Sequence, residues 1–168
     1  MDVERTAIRR LGQAGDLGWV VMAHGELYEK EFGWDTSFEA LVARIVADYA
    51  GDHDDQREAA WIAELDGHRA GCVFCVAADD QAGQTAQLRI LLVDPAARGH
   101  GLGGRLVDEC VAFARRAGYR RMKLWTNHPL AAARRIYLSR GFRLVAEEPH
   151  RSFGADLVGQ VYELDFSA

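Results

Sequence analysis

The stretch Val93–Leu106, VDPAARGHGLGGRL, decides how this chain is read. Gly99, Gly101, Gly103 and Gly104 fall within six consecutive positions, behind Arg98. Ordered glycine costs backbone entropy, so a cluster of this kind needs a reason. Upstream, Ala86–Val93 (AQLRILLV) is an apolar run that reads as a strand and stops at Asp94-Pro95. Downstream, Leu102, Leu106, Val107, Cys110, Val111 and Ala114 recur at helical spacing, and Gly118 ends the pattern. A glycine loop between a strand and a helix aims several backbone N–H groups at one point, with the helix dipole behind them. That arrangement suits a phosphate.

Two phosphate-binding readings fit. Gly99-x-Gly101-x-x-Gly104 matches the dinucleotide fingerprint. That fingerprint wants its glycines directly after the strand and an acidic residue about twenty positions on. Here Asp94–Arg98 intervene, and RRMKLWTNH (120–128) offers no carboxylate. The other reading begins at the arginine, Arg98-x-x-Gly101-x-Gly103, and places a pyrophosphate on the amides of the loop.

Working outward, Thr6–Arg10 reads as a short strand. Asp16 is expected to cap a helix through Leu27, with Tyr28–Asp35 as helix end and loop. Thr36 and Glu39 have capping-box spacing for a second helix to about Tyr49. Ala59–Leu65 and Ala70–Ala77 read as a hairpin around DGHR. Met122–Thr126 reads as a strand. Asn127 or His128 would cap the next helix, with Pro129 near its start and Gly141 at its end. Phe142–Ala146 and Val158–Asp165 read as a last strand pair joined by a loop. The expected architecture is α/β with a mixed sheet, in the order β-α-α-β-β-β-α-β-α-β-β, as one domain over 1–168.

Composition narrows the function classes. The chain has 168 residues, 49% hydrophobic and 27% charged, which suits a substantial core. A net charge of −5 disfavours a nucleic-acid surface as the main function. No apolar run approaches a membrane span and the N-terminus lacks a signal-peptide segment, so a cytoplasmic protein is expected. Cys72 and Cys75 form C-x-x-C, but within GCVFCVA, a strand on which residues three apart face opposite ways. Buried thiols are expected there, and no histidine spacing suggests a catalytic metal.

VDPAARGHGLGGRL resembles the acyl-CoA pyrophosphate loop of the GNAT superfamily of acetyl-CoA-dependent N-acetyltransferases. A second signature follows at the expected distance: Y-x-x-x-G-F, in ARRIYLSRGF (133–142). DLGWVV, FGWD, LRILLVDP, LWTN and PHRSFGADLVGQ further resemble the acetyltransferase half of MarR-type regulator–acetyltransferase fusions, without the winged-helix half. The resemblance implies acetyl-CoA as cosubstrate. It places its pyrophosphate on the amides of Arg98–Arg105, with Gly99, Gly101, Gly103 and Gly104 among them. Its pantetheine arm would meet a strand bulged near Leu91–Val93, through Leu92 and Val93, and the end of LWTN at Asn127. Arg105 and Arg134 would reach CoA phosphates.

Acyl transfer also needs a neutral amine, a stabilised oxyanion and a proton for the leaving thiolate. Tyr137 is the expected general acid, although its spacing with Ala133 and Ile136 equally fits core packing. Gln87 occupies the place where many family members carry a glutamate base. Glu31, Glu64 and His150 remain as alternatives, beside direct attack by the neutral fraction of the amine. Tyr28, Glu31, Trp34, Arg89 and His150 are expected to shape the acceptor pocket, with Arg89 suited to a carboxylate. The expected partner is a small-molecule primary amine, such as that of an amino acid or related metabolite, with homodimers common in the resembled superfamily. A non-catalytic CoA-binding regulator and a protein-lysine acetyltransferase are the alternatives.

Overall fold

A computed structural model describes residues 5–166. Strand β1 (Thr6–Arg10) is followed by helices α1 (Asp16–Phe32) and α2 (Thr36–Gly51). Strands β2 (Ala59–Leu65), β3 (His68–Ala77) and β4 (Thr85–Val93) come next, then α3 (Leu102–Arg116), β5 (Arg121–Asn127), α4 (Ala131–Ser139), β6 (Arg143–Ser152) and β7 (Ala155–Asp165). The expected order of elements is the observed one. A 3-10 turn, Pro95–Ala97, lies between β4 and the glycine loop. Among the described residues no helix is long and apolar enough to cross a membrane.

The seven strands form one mixed sheet in the order β1-β2-β3-β4-β5-β7-β6. Strand alternation divides the core into two layers. Trp61, Val73, Cys75 and Leu88 pack with Leu106, Cys110 and Phe113 of α3 and with Tyr137 of α4. Ile62, Cys72, Phe74 and Leu92 pack on the other side with Val20 of α1 and with Phe38 and Val42 of α2. Cys72 and Cys75 thus belong to opposite layers, and both are buried free thiols.

The sheet forks at its centre. β4 and β5 are parallel and pair only over Thr85–Leu88 and Arg121–Leu124. Beyond Leu88, β4 stays on β3 but inserts an extra residue: Cys72 pairs with Leu92, whereas Phe74 pairs with Arg89. The bulge puts Ile90 at φ 46°, a strained conformation for a β-branched residue. The edge of β4 from Arg89 onward, on the side facing β5, is therefore left without a ladder.

Several boundaries depart from the sequence reading. α1 runs one turn past Leu27, to Phe32, because Tyr28 and Phe32 join an aromatic cluster with Trp34, Phe38 and Phe153. Gly33, at φ 71°, ends it and donates to the Glu29 carbonyl at 2.8 Å. Asp16 does not cap α1; Gly15 precedes it, and the Asp16 carboxylate is buried among other partners. Asp35 rather than Thr36 caps α2, accepting from the Ser37 amide at 3.0 Å. No side chain caps α4, which begins at Ala131 after a turn closed by the Leu130 amide on the Asn127 carbonyl. The β2–β3 connection is two residues, Asp66 at φ 51° and Gly67 at φ 80°, the primed turn that suits strand twist. The expected loop around Pro149 is instead strand. β6 runs on to Ser152 and turns at Phe153-Gly154 into β7. Proline fits there because β6 is the outer edge of the sheet, where no further ladder needs its missing N–H.

Candidate active site

The fork opens into two adjoining cavities. The larger, about 540 Å³, lies between the end of β4, the glycine loop and α4. Its size suits a small-molecule or cofactor site. Leu91, Leu92, Val93, Arg98, Gly99, Gly101, Gly103 and Gly104 line it. The first amide of α3 to find a helical acceptor is that of Arg105, which bonds the Gly101 carbonyl at 3.1 Å. The amides of Leu102, Gly103 and Gly104 precede it and have no acceptor within the helix, as at any helix N-terminus. They form, with the turn before them, a donor cradle of the kind a pyrophosphate needs.

The four glycines serve different ends. Gly99 and Gly101 adopt φ 90° and 70°, which side chains rarely tolerate. Gly103 and Gly104 are helical, and their reason is packing against α4. A Cβ on Gly103 would meet Ile136 Cδ1 at 2.7 Å, and one on Gly104 would collide with the Arg140 guanidinium. Arg140 itself lines the larger cavity, and Asp108 holds it through contacts of 3.0 and 3.2 Å. Sequence reasoning missed Arg140, since only the α3–α4 contact brings it to the loop.

Other expected cofactor residues are placed elsewhere. The Arg105 side chain donates to Thr6 Oγ1 at 2.8 Å and its amide is spent within α3, so neither faces the cavity. Arg134 donates to the His128 carbonyl at 2.7 Å and lines neither cavity. Asn127 is buried, lines the smaller cavity, and lies 2.7 Å through Oδ1 from His150 Nε2. His150 also contacts Ser152 and lines neither cavity, so it orients Asn127 from behind.

Glu31 lines the larger cavity, not the acceptor side, and pairs with Arg98 at 2.7 Å. This carboxylate sits where an anion would bind. Glu31→Gln is expected to tighten acetyl-CoA binding by a few-fold, the size of one partly exposed ion pair, as calorimetric titration would read it. Glu64 pairs with Arg9 at 3.2 Å near the β1 edge and lines neither cavity.

The smaller cavity, about 130 Å³, lies between α1, α2, the bulge of β4 and the ends of β5 and α4. Tyr28, Leu91, Leu130 and Ala133 border both cavities, so the two communicate at the fork. Gln87 and Arg89 share its wall with Tyr137, Trp34 and Trp125. Trp34 is almost wholly buried, and its ring stacks within the aromatic cluster. Arg89 is half-buried, and desolvation holds its pKa below the ordinary value. Tyr137 is 4% exposed, and burial pushes its phenol well above the usual tyrosine range. Tyr28 is shifted upward for the same reason.

One further residue of this wall escaped the sequence reading. His24 lies on the inner face of α1, fully buried, with Nδ1 2.8 Å from the Val20 carbonyl. A carbonyl only accepts, so Nδ1 carries the hydrogen and Nε2 presents a bare lone pair. Nε2 is buried without a hydrogen-bond partner. Leaving such a group unsatisfied costs about 1–3 kcal/mol. Burial also lowers the imidazole to about 4, so it is neutral at physiological pH.

A model of the acetyltransferase (GNAT) family matches residues 21–142, from α1 to the residue after Gly141. N-acetylaspartate synthetase of Danio rerio is 34% identical over 87 residues, 52% of this chain; the chain spans only 30% of that protein. Salmonella typhimurium yncA, solved with its cofactor acetyl-CoA, superposes with a TM-score of 0.77 at 21% identity, covering 95% of this chain and 93% of that one. Ribosomal-protein-alanine N-acetyltransferase of Brucella melitensis gives 0.76 at 18% identity, covering 95% and 99%. At those identities the two structures speak for the fold, while the family match takes in the glycine loop and Tyr137 together. The chain belongs to the GNAT family of acetyltransferases.

Proposed function

We propose that this protein transfers the acetyl group of acetyl-CoA to the primary amine of a small molecule, with Tyr137 as general acid. The observation that carries this reading is the fork: one set of residues joins a cavity walled by the donor cradle of α3 to a smaller cavity containing Tyr137. The unpaired amides of Leu102–Gly104 suit the pyrophosphate, and the open edge of β4 from Arg89 to Val93 suits the amide-bearing arm. The amine nitrogen forms a bond to the thioester carbonyl carbon, the C–S bond breaks, and the thiolate takes a proton.

Tyr137 keeps its proton across the neutral range because burial disfavours the phenolate. Its transfer to a free thiolate, ordinarily near 8.5, is uphill, so the proton moves as the sulfur departs. The phenol is recharged by the proton that the attacking nitrogen loses, and acid and amine chemistry balance.

The test is thermal unfolding with acetyl-CoA, CoA and NAD, followed by thiol release with amines. A shift of several degrees with the two CoA species, and thiol release dependent on an amine, are expected. A shift with NAD alone overturns the reading. CoA binding without turnover on any amine or lysine peptide favours the regulator, and turnover of peptides alone favours a protein acetyltransferase.

A further inference from the structure

We propose that the smaller cavity is built for an α-amino acid, whose carboxylate meets Arg89 and whose amine donates a hydrogen bond to His24 Nε2. The inference rests on the acetyl-transfer reading and names its acceptor and a further residue that touches it.

Three features of the cavity lead there. Arg89 is the only charged side chain among the described residues that line it, and no carboxylate pairs with it. Asp48 acts on it only at longer range. A half-buried, unpaired guanidinium is a ready partner for a planar carboxylate. Second, the wall contains no acidic group that would hold an ammonium, and Gln87 and Asn127 are neutral. Third, His24 brings a buried nitrogen lone pair with nothing to accept from. The cavity therefore lacks one anion and one N–H donor, the two ends of an amino acid. At about 130 Å³ the cavity is on the scale of a small amino acid rather than a peptide.

His24 acts by accepting a hydrogen bond and orienting the nitrogen, not by taking the proton. Its imidazole stays neutral well below physiological pH, so it is far too weak a base for an alkylamine near 10.4. The titratable groups on the elements around it are Tyr28, Cys72, Tyr137, Arg89 and Glu39. Tyr28 on its own helix, Cys72 on β3 and Tyr137 on α4 are all shifted upward by burial. Arg89 on β4 is cationic, and Glu39 of α2 packs over Gly25 beside it.

Thiol release is measured with acetyl-CoA against a panel of L-amino acids and their decarboxylated amines. Amino acids are expected to exceed the matching amines in kcat/KM by about tenfold or more, and Arg89→Met is expected to abolish that preference by raising KM for the amino acids alone. His24→Phe is expected to lower kcat/KM about tenfold with acetyl-CoA affinity and unfolding temperature retained, and His24→Gln, whose oxygen can replace Nε2, to recover most of it. The rate should rise with pH toward the amine's own pKa with no inflexion between pH 5 and 8. Equal rates with decarboxylated amines, an unchanged His24→Phe, or an inflexion near neutrality that His24→Gln removes would each overturn the assignment. Acetylation of other amines but of no amino acid overturns it while leaving acetyl transfer intact, and failure to bind acetyl-CoA removes the underlying reading itself.

Discussion

Tyr137→Phe is expected to lower kcat by 10²- to 10⁴-fold, the range for losing a positioned general acid. The substitution keeps the ring, which lies 5.8 Å from Phe142 and 6.3 Å from Tyr162 between centroids, so the core stays filled. The phenol hydroxyl has no hydrogen-bond partner among the described residues, and its removal leaves no buried group stranded. Unfolding temperature and acetyl-CoA affinity should therefore remain near wild type while turnover collapses. Single-turnover thiol release separates the two outcomes. An unchanged rate would mean that the thiolate leaves without help from this side chain, and that Tyr137 serves the core alone.

Asp16→Ala should produce the largest loss of stability. Its carboxylate has no exposure and gathers five donors: Arg9 at 2.8 and 2.9 Å, Arg69 at 2.8 Å, and the amides of Gly12 and Gln13 at 2.9 and 2.8 Å. These bonds tie β1, β3 and the start of α1 together. Removing the buried member of such an ion pair costs about 3–5 kcal/mol, because Arg9 and Arg69, 18% and 29% exposed, and two amides lose the acceptor that satisfies them. For a chain of this size that is about 6–20 °C in unfolding temperature. The same network carries a pH signature. The arginines and amides hold the Asp16 carboxyl well below the usual carboxylate range. The unfolded chain then binds the proton first. The stabilisation is fully present above about pH 4, the unfolded value, and is lost as pH falls toward the lower folded value. The wild-type unfolding temperature should drop in that acid window, and the Asp16→Ala curve should be flatter there. A variant within 2 °C of wild type would show that the network is only a surface arrangement.

Legibility differed by element. The glycine loop was readable because strand, glycines and amphipathic helix follow one another, and the element order came with it. The extent of β6 was not, because Pro149 reads as a breaker until β6 is known to be an edge. The end of α1 was hidden because Tyr28 and Phe32 pack on Trp34 and Phe38, and those two rings are in turn covered by Phe153 of the β6–β7 turn, remote in sequence. Among site residues, Gln87 and Arg89 were legible as neighbours on one strand face, and the structure places both on one cavity wall. His24 was not, since a histidine on an apolar helix face reads as core, and only its lack of a partner at Nε2 sets it apart.

The sequence by itself determined the local pieces: a backbone able to turn at Gly99 and Gly101, the order of strands and helices, and a tyrosine one helical turn before Gly141. These follow from residue types and spacings within a few positions of one another. Only the tertiary structure decided which of them meet. The fork arises because β4 bulges at Ile90 and parts from β5 after four pairs, a property of two strands and their neighbours. That parting opens the cavity that brings His24, Arg89 and Tyr137 together from three different elements. It also leaves Arg105 and Arg134, both expected at CoA phosphates, bonded to Thr6 and His128 away from it. Local propensity acts along the chain, whereas a site forms where distant segments leave backbone and side-chain groups unpaired.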